Sequence, residues 1–209
     1  MKNPMVRRGL LLLSLAITVG SMPGVGLAEE EDKVIRLGMI GLDTSHVIAF
    51  TSYLNNPNNK TGCRVVAGYP GGSADFPVSA NRVEKFTTEL REKHGLEIVD
   101  SIEALCERVD GILLESVDGR PHLEQAKIVI EAGLPLFVDK PVADDLVDVI
   151  ELFRLAKEKK VPCWSSSAMR FGEGVAGART NSELGQVVAC DVFGSSSWAD
   201  RHPSLYLYG

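Results

Sequence analysis

The sequence lacks the features that mark several large classes of protein. Its 209 residues carry a formal net charge of −6 and contain no cluster of lysine and arginine. Nucleic acids and anionic membrane surfaces attract concentrated positive charge, so we expect neither as a partner. The four cysteines form no C-x-x-C pair, and we interpret them as small buried residues.

No apolar run is long enough to cross a bilayer, so no stable membrane insertion is expected. The run at residues 10–20 follows the basic residues Lys2, Arg7 and Arg8, and small residues lead up to Ala28. This pattern is typical of a signal peptide over residues 1–28, used by the Sec or the twin-arginine route. It predicts export to the periplasm or the outside; an uncleaved anchor or a buried helix is the alternative. Cleavage removes three positive charges and no negative one, which moves the net charge from −6 to −9.

Repeats and low-complexity segments are also absent, and alternating strand and helix patterns fill the chain from residue 34 onward. The predicted strands are residues 34–40, 64–67, 97–99, 111–114, 134–138 and 161–164. The predicted helices are residues 46–54, 80–94, 101–108, 121–132 and 144–159. Six strands with intervening helices predict an α/β fold, a doubly wound parallel sheet of the Rossmann-like type, over residues 33–166.

The last part of the chain, residues 167–209, has a different pattern. A glycine-rich loop is followed by a strand candidate at residues 186–194. About forty residues are too few for a domain with its own core. We therefore expect the start of an incomplete α+β domain for substrate binding or oligomerisation.

The glycine motif of a dinucleotide-binding turn is incomplete after the first strand. Gly41 holds the first glycine position of G-x-G-x-x-G, but Asp43 and His46 hold the second and third. Pyrophosphate binds the N–H groups at a helix start, so Gly41, Thr44 and Ser45 are expected to meet the phosphates. Protonated His46 would add positive charge. Asp43 either caps the helix or opposes the phosphate charge.

The second strand also lacks the usual acid for the ribose of NAD. It ends in Tyr69-Pro70-Gly71-Gly72-Ser73, and Asp75 is the nearest acid. Ser73 and the glycine amides are candidates for binding a phosphate instead. The choice between NAD and NADP therefore stays open at this point.

Metal ligands and activated nucleophiles have no recognisable spacing. The four histidines, His46, His94, His122 and His202, lie far apart, and no serine or cysteine occupies a nucleophile turn. We therefore expect no metal site. The chemically interesting residues instead follow the first, second, fourth and fifth strands, where a parallel sheet binds its ligands.

Three segments carry a resemblance to a known family: "IRLGMIGLDTSH", "DGILLESVDGRPHLEQAKIVIEAGLPLFVDKPVADD" and "AKEKKVPCWSSSAMRF". Together, over residues 34–171, they resemble the nucleotide-binding half of the Gfo/Idh/MocA oxidoreductases, the glucose-fructose oxidoreductase and inositol dehydrogenase family. The resemblance implies NAD or NADP as cofactor and a sugar, polyol or related hydroxylated small molecule as substrate. A homo-oligomer is expected if a full second domain exists.

The same resemblance implies roles for two residues. Lys140, in Asp139-Lys140-Pro141, would lie beside the nicotinamide and contact substrate, and His122 would line the nicotinamide side of the cofactor. The plainer alternatives are a lysine at the sheet edge and a structural histidine. For the whole chain, the alternative is a non-catalytic carbohydrate-binding or scaffold protein on the same fold, a pseudoenzyme or a fragment.

Overall fold

A single parallel sheet organises the chain. The computed structural model describes residues 34–178, 181–189 and 191. Its strands are β1 (Ile35–Ile40), β2 (Cys63–Tyr69), β3 (Glu97–Ile98), β4 (Gly111–Leu114), β5 (Leu136–Val138) and β6 (Cys163–Ser165). Their order is β3-β2-β1-β4-β5-β6, and every pair is parallel. This confirms the predicted doubly wound fold.

Helices connect the strands. They are α1 (Ser45–Leu54), α2 (Pro77–Ala80), α3 (Val83–His94), α4 (Ile102–Cys106), α5 (His122–Glu131), α6 (Leu146–Lys159) and α7 (Glu173–Ala178). Their ends follow local chemistry: Ser101 caps α4 by accepting a 3.0 Å hydrogen bond from the Ala104 N–H, and Gly95 ends α3 in the left-handed conformation.

The core lies on both faces of the sheet. Met39 and Ile40 are neighbours on β1, so their side chains point to opposite faces. Met39 packs with Val47 of α1 and Leu90 of α3, whereas Ile40 packs with Leu114 and the helices of the other face. Coverage on both sides explains why the central strands are continuous apolar runs.

Three predicted elements differ from the structure. The glycine-rich loop predicted after residue 171 is largely the helix α7 (Glu173–Ala178). The single helix predicted at residues 80–94 is two helices, α2 and α3, because Pro77 starts the first and the chain turns at Asn81 and Arg82. The predicted strand at residues 186–194 is not formed over residues 186–189. Most of its remainder lies outside the described residues.

Several other predictions fall partly or wholly outside the described part of the chain. The signal peptide, Cys190, His202 and the whole tail after residue 191 lie there, so they stay predictions. Cys63, Cys106 and Cys163 are free and only half-buried, not fully buried as expected. Within the described ranges no helix has the length and apolarity needed to cross a bilayer.

Candidate functional site

The carboxyl ends of the three central strands bring the candidate residues to one edge of the sheet. The backbone N–H of Glu115, directly after β4, donates to the Ile40 carbonyl of β1 at 2.7 Å. The N–H of Asp139, directly after β5, donates to the Leu114 carbonyl at 2.8 Å. The strand register thus continues one residue beyond each strand. It fixes the positions of Glu115 and Asp139 relative to each other along the strand direction.

The turn after β1 keeps its first glycine for a reason of packing. Gly41 has φ 84°, and a Cβ there would lie 2.4 Å from the Cα and the backbone nitrogen of Ser116. Any other residue would therefore push apart the turn and the loop after β4. Helix α1 then begins at Ser45, with Thr44 as its N-cap: the Thr44 hydroxyl accepts a long 3.4 Å hydrogen bond from the His46 N–H.

Asp43 points into the protein. It is 1% exposed, and its carboxylate accepts hydrogen bonds from the Ser79 hydroxyl at 2.5 Å and the Val117 N–H at 2.9 Å. Burial raises the pKa of Asp43, although both hydrogen bonds act in the opposite direction. Because Thr44 caps α1, the expectation that Asp43 caps the helix is wrong. The carboxylate is an internal anchor between two loops.

The loop after β2 is tied to the loop after β4. The Ser73 N–H donates to the Ser79 hydroxyl at 2.8 Å. Arg120 binds both carboxylate oxygens of Asp75, at 2.9 and 2.8 Å, and reaches Asp118 at 2.7 Å. Burial alone would raise the pKa of Asp118, but hydrogen bonds from Arg120 and Ser73 lower it below its ordinary value. Ser73, the candidate for phosphate contact, and Asp75, the nearest acid, are thus engaged with other residues of the chain.

His122 is fully buried at the start of α5. Its Nδ1 lies 3.0 Å from the Val142 carbonyl and its Nε2 lies 2.8 Å from the Ser116 carbonyl. Burial lowers the pKa of the imidazole, against the effect of both carbonyls. The ring therefore connects the loop after β4 with the loop after β5. This geometry favours a positioning role, and the predicted place beside the nicotinamide stays a prediction.

Lys140 follows β5 and is half-buried, with a cis peptide bond to Pro141. Within the described ranges its ammonium forms no ion pair or hydrogen bond. A cation in this position is available to a ligand at the carboxyl edge of the sheet.

A cluster of three ionisable side chains escaped the sequence analysis. His46 Nδ1 contacts a carboxylate oxygen of Asp139 directly, and one ligand atom each of His46, Glu115 and Asp139 lies within 4.8 Å of the others. Burial, and then the charge of Asp139, raise the pKa of Glu115 well above its ordinary value. Spacing along the chain gave no sign of the cluster because its members follow three different strands.

The cluster opens onto an apolar cleft of about 460 Å³. His46 and Asp139 line it together with Phe50, Phe137 and Trp164. The side chain of His46 is 34% exposed and that of Asp139 is 8% exposed. Small molecules that enter this cleft therefore reach His46 first and the acids behind it.

The fold and this edge define a nucleotide-binding α/β domain of the Rossmann type. The sequence over residues 35–167 matches the family described as "Oxidoreductase family, NAD-binding Rossmann fold". The chain therefore belongs to the Gfo/Idh/MocA oxidoreductase family, as its motifs predicted. The family description agrees with the expected nicotinamide dinucleotide cofactor. A search among curated protein sequences finds no significant match.

Solved structures share the fold. A probable dehydrogenase from Thermotoga maritima is 22% identical, with a TM-score of 0.58 over 72% of this chain and 41% of its own. Apo scyllo-inositol dehydrogenase from Lactobacillus casei is 17% identical, with a TM-score of 0.58 over 74% and 42%. An oxidoreductase from Agrobacterium radiobacter, in complex with NAD⁺, L-tartaric acid and magnesium, is 14% identical, with a TM-score of 0.59 over 73% and 41%. The chain thus spans less than half the length of each.

Proposed function

We propose that this domain binds a nicotinamide dinucleotide at the carboxyl edge of its sheet and serves hydride transfer to or from a sugar, polyol or similar hydroxylated small molecule. The observation that carries the proposal is the placement of Lys140. Lys140 follows β5, whose carboxyl end lies at the same edge of the sheet as the start of α1, and among the described residues its ammonium has no ion-pair partner, so one ligand can engage both a helix N-terminus and a cation.

The residues at the turn fit the pyrophosphate of such a cofactor. The N-terminus of α1 carries partial positive charge, and Ser45 in its first turn is exposed. The carboxylate of Asp43 is turned inward, so its charge is held away from this surface. When bound, the nicotinamide supplies a hydride acceptor or donor.

The loop after β2 favours NAD over NADP. An additional phosphate on the ribose requires an available cation. Arg120, the cation in the loop after β4, is paired with the two carboxylates of Asp75 and Asp118. The local balance is therefore negative, which disfavours a further phosphate.

Lys140 would act on the substrate. An ammonium donates hydrogen bonds to a hydroxyl or carbonyl oxygen and stabilises negative charge that develops there. The apolar wall of Phe50, Phe137 and Trp164 would exclude water from one side. One structural relative is a scyllo-inositol dehydrogenase, which supports a polyol as substrate. The signal peptide predicted over residues 1–28 supports an exported protein.

The test measures formation of reduced nicotinamide by the full chain, with NAD⁺ or NADP⁺ and a panel of sugars and polyols. We expect turnover with NAD⁺ and at least one substrate. Lys140→Met should lower kcat at least about 100-fold. The exposed Lys157→Met is the matched control. A kcat of Lys140→Met equal to that of the native chain would show that Lys140 takes no part in the reaction.

A second function is non-catalytic carbohydrate binding. It is favoured by the contacts that the loop after β4 makes with the turn after β1 and with the loop after β2. The contacts Asp43 to Val117 and Arg120 to Asp75 join the segments on either side of the turn. A binding protein of this kind would be stabilised by a sugar or polyol and by no dinucleotide. A thermal unfolding series with both ligand classes separates the two functions.

A further inference from the structure

Three strands and a helix start converge on the cluster of His46, Glu115 and Asp139. β4 lies between β1 and β5 in the sheet, so the residues after β4 and β5 are neighbours, and the first turn of α1 places His46 above them. Each residue belongs to an ordered element. The cluster is therefore held by backbone pairing and not by a loose loop.

Glu115 is the unusual member. It is 1% exposed, and among the described residues neither of its side-chain oxygens has a hydrogen-bond partner. Burying an unpartnered carboxyl group is costly, and such groups are rare in folded proteins. A group of this kind, pointing at two other potential ligands, indicates that something else binds there.

The charge of the cluster indicates which kind of ligand binds there. Two carboxyl groups face one imidazole, and among the described residues no lysine or arginine forms an ion pair with either acid. A divalent cation would neutralise both carboxylates and supply the missing partner of Glu115.

We propose that His46, Glu115 and Asp139 bind one divalent first-row transition-metal ion, through the imidazole Nδ1 and one oxygen of each carboxylate. One nitrogen and two oxygen ligands suit Mn²⁺, Fe²⁺ or Zn²⁺, whereas Mg²⁺ and Ca²⁺ prefer oxygen alone. Ligand atoms around one such ion lie about 3 Å apart. Because His46 Nδ1 contacts Asp139 directly, the partly exposed imidazole would have to rotate outward to admit the ion.

Three protein ligands leave further coordination positions, and these face the apolar cleft. An ion with open positions binds water or the oxygen atoms of a hydroxylated or carboxylated small molecule. The site uses no part of the turn after β1 other than His46, and its occupation by metal does not depend on a dinucleotide.

The test is a titration of the untagged, chelator-treated full chain with Mn²⁺, in which electron paramagnetic resonance counts the free ion. Mn²⁺ suits the probe because it binds cysteine thiolates weakly, and the chain has four cysteines. We expect one Mn²⁺ per chain. Glu115→Gln and His46→Asn should each weaken the affinity at least about tenfold. Glu92→Gln and His94→Asn, on α3, are the matched controls and should bind as the native chain does.

Two results would overturn the proposal. The first is a folded native chain that binds no Mn²⁺ and no Zn²⁺ at millimolar concentration, which would leave a pair of carboxyl groups sharing a proton. The second is binding that Glu115→Gln and His46→Asn leave unchanged, which would place the ion elsewhere. Since no dinucleotide is present, neither result bears on the proposed oxidoreductase function.

Discussion

The backbone N–H of Val117 donates a 2.9 Å hydrogen bond to the carboxylate of Asp43. This bond joins the turn after β1 to the loop after β4. Asp43 stands where the common dinucleotide motif has its second glycine, so the chain replaces a site of close phosphate approach with an internal anchor. The shape of the turn therefore depends on contacts within the protein itself.

Asp43→Ala should lower the free energy of unfolding by roughly 2 kcal/mol, because it leaves the Val117 N–H and the Ser79 hydroxyl without their partner. Urea denaturation followed by circular dichroism measures the loss. Asp100→Ala, at an exposed position, is the control and should change stability little. A stability for Asp43→Ala equal to that of the control would contradict the anchor.

Glu115→Gln should stabilise the metal-free protein increasingly as pH rises. Folding raises the pKa of Glu115 from 4.5, so the stability that its protonated form contributes is complete below that value and is lost as pH rises through the folded one. Glutamine does not ionise. We expect the stability of the variant, relative to the native chain, to increase steadily as pH rises above the unfolded-state value of 4.5.

Chemical denaturation in the presence of a chelator, at several pH values, measures this gain. Asp139 and His46 are the ionisable groups facing Glu115, and both are present in the variant and in the native chain. Glu92→Gln should show no such trend with pH. A Glu115→Gln protein that is less stable than the native chain at every pH would refute the unpartnered state of Glu115.

Arg120→Ala should release the loop after β2 and cost roughly 1–2 kcal/mol, because Asp118 stays buried without its cation. The lowered pKa of Asp118 contributes stability that is present above its unfolded value and is lost as pH falls through the folded one. The difference between variant and native chain should therefore shrink in acid. Faster hydrogen exchange over residues 73–79 reports the release of the loop. Arg64→Ala is the control. Unchanged hydrogen exchange in Arg120→Ala would contradict the role of Arg120 in joining the loop after β2 to the loop after β4.

His122→Phe should cost roughly 1–2 kcal/mol, because the neutral imidazole donates its single N–H to one of the Ser116 and Val142 carbonyls and phenylalanine has no donor. Burial lowers the pKa of His122 from 6.5, so the native chain loses stability as pH falls below that value. The variant should lack this part of the acid dependence. Thermal unfolding across the range measures both effects; an acid dependence equal to that of the native chain would exclude His122 as its source.

Much of the fold could be predicted because each central strand is a short apolar run between helices with clear ends. β4 has the predicted bounds, residues 111–114. The loop at Asn81 and Arg82 was missed because both neighbouring segments have helical composition, and only packing decides where the chain turns.

The sequence predicted which residues follow the strands at the candidate site, but not the direction in which their side chains point. The residues after β1, β4 and β5 do meet at one edge, since a parallel sheet requires it. The inward direction of Asp43 depends on Ser79 and Val117, which lie far from it in sequence. The proximity of Glu115 to His46 depends on the strand order and on burial, and neither property can be read from the spacing of residues along the chain.

The most direct test of the nucleotide-binding function is calorimetric titration of the folded full chain with NADH and, separately, with NADPH. We expect saturable binding of one NADH per chain, with NADPH bound at least about tenfold more weakly because of the acids around Arg120. Absence of heat with both dinucleotides, from protein shown to be folded by circular dichroism, would contradict a nucleotide site at this edge of the sheet.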